Sequence, residues 1–212
     1  MRFVFPLKYE DTPDANPARV YDDVLVALDA HRNLNNGLPS SLARWLDSMD
    51  IQPGEHVVHA GCGTGYYTAI IAHMVTTDGR VTAIEFDPAL ADRARAGLRR
   101  YSHVEVIAGD ATKYDPGPAD AIFVNAGATH PCPLCLDSLK PSGNLVFPMI
   151  RWPDGSVMGV GVAGWGVMLR IKRMQSGFGA RAGLHPAVIS HASARLIARP
   201  IGGWAMRLRK TV

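Results

Sequence analysis

The chain has 212 residues, 47 % of them hydrophobic and 19 % charged, and its 22 Lys and Arg against 19 Asp and Glu leave a formal net charge of +3. That size and apolar content suit one α/β domain with a core of its own and argue against two. So small a positive excess is not the concentrated basic face of a nucleic-acid binder, so no nucleic-acid partner is expected.

No opening segment combines a charged start, a long apolar run and a small-residue cleavage site, which predicts a cytoplasmic protein. Residues 1–20 hold three prolines and show no period, and they read as an arm. Residues 21–30 read as a helix. The loop HRNLNNGLPSS follows from His31, and its Ser40 or Ser41 can cap a helix through Leu42, Trp45, Leu46 and Met49.

From Glu55 onward apolar runs alternate with helical periods. The pattern predicts strand 56–60, helix 66–75, strand 81–86, helix 88–100, strand 104–108, strand 119–125, a helix near 133–139 and strand 143–148. The run VMGVGVAGWGVMLRI from Val157 is too short and too rich in glycine for the roughly 20 apolar residues of a membrane helix, so no membrane partner is expected. It reads as a flexible or hairpin-forming β segment. Its end, VMLRIKR, and a weaker run around 184–190 can add antiparallel strands. The expected fold is α/β: a Rossmann-like, doubly wound, mostly parallel sheet with helices on both faces and antiparallel strands at the C-terminal edge. Residues 1–50 form an arm and helices on the substrate side, 51–190 the core, and 191–212 a tail carrying Arg195, Arg199, Arg207, Arg209 and Lys210. Its apolar residues can cover the sheet edge or meet a second subunit, so a homodimer is an open expectation.

Residues 57–72, VVHAGCGTGYYTAIIA, join a buried strand to a glycine turn and a helix. Gly61, Gly63 and Gly65 can take positive φ and let a ligand approach bare backbone. A dinucleotide loop needs a third glycine where Tyr66 stands, and a Walker loop needs a Gly-Lys-Ser/Thr that is missing, so NAD, FAD and nucleotide triphosphates are disfavoured. Ligands of open parallel sheets bind outside the carboxyl ends of the strands. There the sequence puts the loop 61–65 with Cys62 and Tyr66, then Glu85 with Phe86, then Asp110 with Ala111, then Asn125. Loop N–H groups can hold a carboxylate, Glu85 can accept from two hydroxyls, and Asp110 can accept from an amino group. Asn125 would face the reacting atoms.

Cys132 and Cys135 form a Cys-x-x-Cys two residues after His130. No fourth ligand lies at metal-binding spacing, so no metal is expected and the pair reads as small apolar residues at a helix start.

The glycine loop followed by VTAIEFD resembles the S-adenosylmethionine site of class I methyltransferases. From about residue 38 to about 190 the chain resembles the protein-L-isoaspartate O-methyltransferase family. The resemblance is carried by the Gly-Leu-Pro-Ser lead-in, GRVTAIEFDPALADRARAGL, ADAIFVNAGATHPCPLCLDSLKPSGNLVFPM with its Lys-Pro-x-Gly turn, and VMLRIKRMQSGFGAR. It implies an enzyme that uses S-adenosylmethionine, releases S-adenosyl-L-homocysteine and methylates an oxygen of a peptide or small molecule. The chain departs from the family at three positions. Gly37 stands where the family has an active-site serine, His59 where it has an acid that helps hold the cofactor's amino group, and Asn125 where it usually has a threonine.

A carboxylate acceptor is already ionised at neutral pH and needs no base, whereas a hydroxyl does, and His130 is the best placed candidate. Asn36, Ser40 and Tyr67 are candidate acceptor contacts, with Asn35 beside them. The loss of the serine also admits a natural-product or peptide-tailoring O-methyltransferase, and His59 admits a module that binds the cofactor without turnover.

Overall fold

The structure is a computed structural model that describes residues 23, 25–32, 34–128, 130–150 and 165–188. The arm at 1–20, the glycine-rich stretch up to 164 and the tail after 190 lie outside the described residues.

Seven strands form one sheet in the order β5-β4-β3-β6-β7-β8-β9. They are β3 (His56–Ala60), β4 (Arg80–Glu85), β5 (Val104–Ala108), β6 (Ala119–Val124), β7 (Leu139–Ile150), β8 (Trp165–Arg173) and β9 (Phe178–Val188). β5, β4, β3, β6 and β7 pair in parallel; β8 and β9 are antiparallel. The fold is therefore the expected one. The chain order reverses at β3, whose neighbours are β4 on one side and β6 on the other, and the crevice at such a switch point is where ligands bind.

Every residue of β3 is buried because both faces are covered. Its side chains alternate between two cores. Val57 packs with helices α1 (Pro39–Asp47) and α2 (Tyr66–Val75), through Leu46, Tyr67, Ile71 and Val75. Val58 and Ala60 pack on the other face with Cys135 and Leu136 of α4 (Pro133–Ser138). α3 (Pro88–Leu98) buries Leu90, Ala94 and Leu98, spaced i, i+4, i+8, and covers Ala83 of β4. The Asp87 carboxylate caps α3 by accepting from Ala89 N and Leu90 N at 2.8 and 3.1 Å, and Pro88 opens the helix.

The lead-in departs from its predicted form. Where residues 21–30 are described they are not an α-helix: Ala27–Asp29 is a short strand, β1, antiparallel to β2 (Leu34–Asn35), with one turn of 3₁₀ helix between them. The reason is tertiary. Leu28 lies over the glycine loop, Arg93 Nη1 donates to the Leu28 carbonyl at 3.3 Å, and Arg32 pairs with Asp87, so distant groups hold this hairpin down. Neither Ser40 nor Ser41 caps α1. The cap is Leu38 with Pro39 first in the helix, and Asp23 supplies the acceptor a cap would provide, taking Ser40 N at 2.8 Å and Ser40 Oγ at 2.7 Å. The Lys-Pro-x-Gly segment falls within β7 as an irregularity, where Ser142 takes φ +66° after Pro141 and the register against β6 shifts. No helix among the described residues is long and apolar enough to cross a membrane.

Candidate functional site

The carboxyl ends of β3, β4, β5 and β6 lie side by side, and each brings one of the expected groups. After β3 the chain turns through Gly61, Gly63 and Gly65, whose φ values are +74°, +56° and +89°. Their hydrogens are needed for space as well as conformation. A Cβ on Gly61 would stand 3.1 Å from Ala126 Cβ and 3.2 Å from the Asn125 carbonyl, and one on Gly65 2.7 Å from Leu98 Cδ1. Ile84 O holds the loop by accepting from Gly61 N at 2.8 Å and Cys62 N at 3.2 Å. α2 begins at Gly65, which offers no capping side chain, so first-turn N–H groups are left to a ligand.

Glu85 ends β4, 8 % exposed. Its two oxygens each accept one backbone N–H, Oε2 from Gly63 at 2.7 Å and Oε1 from Asp87 at 3.0 Å. A carboxylate has about four lone-pair sites, so two remain for a diol. Phe86, next to it, is 50 % exposed, an apolar face beside the loop. Asp110 follows β5 and accepts from Thr112 N and Thr112 Oγ1 at 2.9 and 2.7 Å, with Lys113 Nζ at 3.5 Å. Partial burial works against its ionisation, but the Thr112 bonds and Lys113 outweigh it and hold the carboxyl below the ordinary range. Asn125 follows β6 and donates its N–H to Ala60 O at 2.8 Å, tying the fourth strand end to the first. A bare-backbone loop, a carboxylate with spare lone pairs, an exposed aromatic ring and a second carboxylate together fit an adenosyl cofactor with a charged amino-acid end.

Beneath these ends a concavity is lined by Ala60, Ala111, Thr112, Val124, Ala128, His130, Cys132, Cys135, Leu145 and Phe147. His130 thus lines the same concavity as Ala111 and Thr112. Cys62 is buried, and burial together with the Glu85 charge pushes its thiol up to about 12, so it is inert.

Two predicted site residues face the core instead. His59 is fully buried, its Nδ1 2.8 Å from Thr68 Oγ1 and its ring centroid 5.3 Å from that of Phe123. Burial holds its pKa down to about 3, so the ring is neutral at physiological pH. Its Nε2 has no partner among the described residues. Tyr67 is 1 % exposed and packs edge-on against Phe123 and Tyr66, so its ring belongs to the core beneath α2. Tyr66 is half-buried at the head of the helix.

In the lead-in, Asn36 is buried and its N–H donates to Val26 O at 2.9 Å, while Asn35 Oδ1 accepts from Gly37 N at 2.8 Å. Ser40 is tied to Asp23. Gly37 takes φ +73°, and a Cβ there would lie 2.6 Å from Leu42 Cδ1. The Arg32–Asp87 and Arg93–Leu28 contacts that clamp this hairpin beside the site were not legible in the sequence, because they join residues 55 and 65 apart.

A family model described as protein-L-isoaspartate(D-aspartate) O-methyltransferase matches residues 10–156. A protein-L-isoaspartate O-methyltransferase of Methanopyrus kandleri is 35 % identical over 147 residues, which are 67 % of this chain and 64 % of that protein. The chain spans about half to just under two thirds of the length of the first curated relatives it matches. Among solved structures, a protein-L-isoaspartate O-methyltransferase superposes with a TM-score of 0.70 at 20 % identity, covering 88 % of this chain and 58 % of that one. A Plasmodium falciparum protein described by the same activity, in complex with S-adenosyl-L-homocysteine, gives a TM-score of 0.65 at 18 % identity, covering 80 % of each. These two likenesses establish the fold. The family model spans well over half of the sequence, and the chain belongs to the protein-L-isoaspartate(D-aspartate) O-methyltransferase family.

Proposed function

We propose that the chain is an S-adenosylmethionine-dependent O-methyltransferase, with residues 51–190 as its cofactor-binding core and the lead-in up to residue 50 on the acceptor side. The observation that carries this reading is the meeting of the loop 61–65, Glu85, Asp110 and Asn125 at four adjacent strand ends. The loop and the first turn of α2 hold the methionine carboxylate, Glu85 accepts the ribose hydroxyls, Asp110 accepts from the adenine amino group, and Phe86 and Ala111 flank the ring. When bound, the cofactor supplies a methyl group on a sulfonium, open to in-line attack by an oxygen. The chain's own contribution is alignment and exclusion of water. A carboxylate acceptor needs no base; for a hydroxyl acceptor His130 takes the proton.

A peptide-tailoring enzyme is the second reading, and Gly37 favours it. A residue without a hydroxyl, in a left-handed turn pressed on Leu42, cannot contact an isoaspartyl carboxylate as a serine would. One lost hydrogen bond to a charged group costs on the order of 2 kcal/mol, about thirtyfold in rate if it forms only in the transition state. The test is incubation with methyl-labelled cofactor and either an isoaspartyl peptide or its aspartyl counterpart. Slow or absent labelling of the isoaspartyl peptide, with cofactor bound in calorimetry, is the expected result. Labelling as fast as that of a repair enzyme would show that the glycine is tolerated. A protein that binds cofactor and releases no S-adenosyl-L-homocysteine with any acceptor is a binding module.

A further inference from the structure

The hairpin of β1 and β2 has no part in the reading above, yet it is fastened to two groups that carry it, Glu85 and the glycine loop. Arg32, in the turn between the two strands, reaches two carboxylates. Its Nε donates to Asp29 Oδ2 at 2.6 Å inside the hairpin, and its Nη1 donates to Asp87 Oδ2, 55 residues further along the chain. Asp87 stands two residues after Glu85 and divides its groups among three partners. Oδ1 caps α3, Oδ2 takes Arg32, and the backbone N–H donates to Glu85 Oε1 at 3.0 Å. The other Glu85 oxygen accepts from Gly63 N at 2.7 Å. Gly63 leads back to the hairpin, because a Cβ there would stand 2.9 Å from Leu28 Cδ1 and meet no other described atom within 4 Å. The contacts thus close a ring through Leu28, Arg32, Asp87, Glu85 and Gly63.

As a fastening of the fold the Arg32–Asp87 pair is weak. The Arg32 side chain is 48 % exposed, and ion pairs so open to water contribute little to stability. What the pair fixes is geometry. The Arg32 guanidinium holds the Asp87 carboxyl below the ordinary range, so both partners are charged at neutral pH. Glu85 is braced by one N–H from the glycine loop and one from Asp87, and the hairpin touches both segments. Hydrogen bonds weaken steeply as their angles open, so a diol bound by Glu85 depends on how firmly those two N–H groups are held.

We propose that Arg32 is a positioning residue for the cofactor: through Asp87 it orients Glu85, and through the hairpin it seats Leu28 against the glycine loop. The ring of contacts stands on its own geometry, while its effect on binding rests on the methyltransferase reading. Without the pair the ribose hydroxyls meet a less ordered acceptor, and part of the binding free energy goes to ordering it.

The test measures S-adenosyl-L-homocysteine binding by calorimetry, and melting without ligand, in the full chain and five variants. Arg32→Met removes the charge and keeps the stem, Asp87→Asn removes the charge and keeps a good capping residue, and the third variant combines them. Arg32→Lys keeps the charge. Arg95→Met is the control, since Arg95 pairs with Asp92 at 2.6 Å within α3 and is about as exposed as Arg32. Arg32→Met and Asp87→Asn are each expected to lower affinity about fivefold, with the double variant no weaker because both break one pair. Arg32→Lys recovers most of the loss, and Arg95→Met binds as the wild type does. Wild-type affinity in Arg32→Met overturns the inference and leaves Arg32 a structural pin, whatever the melt shows. Additive losses, a loss shared by Arg95→Met, or no recovery in Arg32→Lys overturn it as well. A wild-type chain that does not bind overturns the inference and the methyltransferase reading together.

Discussion

The two ends of the parallel strands treat their polar groups in opposite ways. At the amino ends, side chains satisfy one another: Asp120 Oδ2 accepts from His56 N at 2.9 Å and from Lys140 Nζ at 2.7 Å, and the His56 ring lies 2.8 Å from Pro118 O and 3.0 Å from Thr82 Oγ1. At the carboxyl ends, Glu85 and Asp110 accept from the nearby loop residues Gly63, Asp87 and Thr112 and keep lone pairs to spare. A closed network stabilises the fold; carboxylates with spare capacity around a bare-backbone loop are arranged for something else to bind. Changes at the carboxyl ends should therefore cost binding, and changes at the amino ends only stability.

The largest effect is expected from Gly61→Ala. The new Cβ meets the Asn125 carbonyl, which cannot yield as a side-chain tip can, and the residue must keep φ +74°. The cost is about 2–3 kcal/mol of stability with loss of cofactor binding, read by denaturant unfolding and calorimetry. Wild-type affinity in that variant would break the assignment of the loop. Glu85→Ala removes both the expected diol contacts and the brace on Gly63 N. Affinity should fall by roughly 1.5–3 kcal/mol, and an unchanged binding isotherm would take Glu85 out of the site.

Acid is expected to weaken the fold through His59. Its pKa is about 3 in the folded chain against an ordinary 6.5, so below 6.5 the unfolded chain binds a proton that the folded chain refuses. Stability is lost as pH falls from about 6.5 toward 3, amounting to about 2 kcal/mol by pH 5. His56, whose pKa is also lowered by burial, adds in the same direction. Thermal melts across that range should show the decline, and His59→Gln should flatten it. The smallest effect belongs to Asp120→Ala, which leaves His56 N and Lys140 without their acceptor. About 1 kcal/mol of stability should go, with cofactor affinity unchanged. A change in affinity there would mean that the two ends are coupled and the contrast drawn above is false.

Much of the core was legible because both of its signals are local. A buried strand, a Gly-x-Gly-x-Gly turn and a helical period follow one another within residues 57–72, and β3, the loop and α2 form there as the pattern predicts. The acids at the strand ends were legible for a related reason: a residue just after a parallel strand stands at the binding edge whatever the helices do. The lead-in was not legible. A period over 21–30 suggests a helix, but Ala27–Asp29 pairs with Leu34–Asn35 and is pinned by Arg32 to Asp87 and by Arg93 to Leu28. No local pattern encodes partners so far along the chain, and tertiary contacts outweigh a propensity of a few tenths of a kcal/mol per residue.

By itself, then, the sequence determined the order of strands and helices from residue 55 onward, the conformation of the glycine turn and the row of groups at the strand ends, since periodicity and positive φ are properties of neighbouring residues. The tertiary structure alone decided which way shared residues point. His59 and Gly61 are two positions apart, yet the ring turns down to Thr68 and Phe123 while the glycine stays bare beneath Asn125 and Ala126. It decided equally that Cys132 and Cys135 line one concavity with Thr112. Which face of a strand is covered, and by what, depends on segments that meet only after the sheet has assembled.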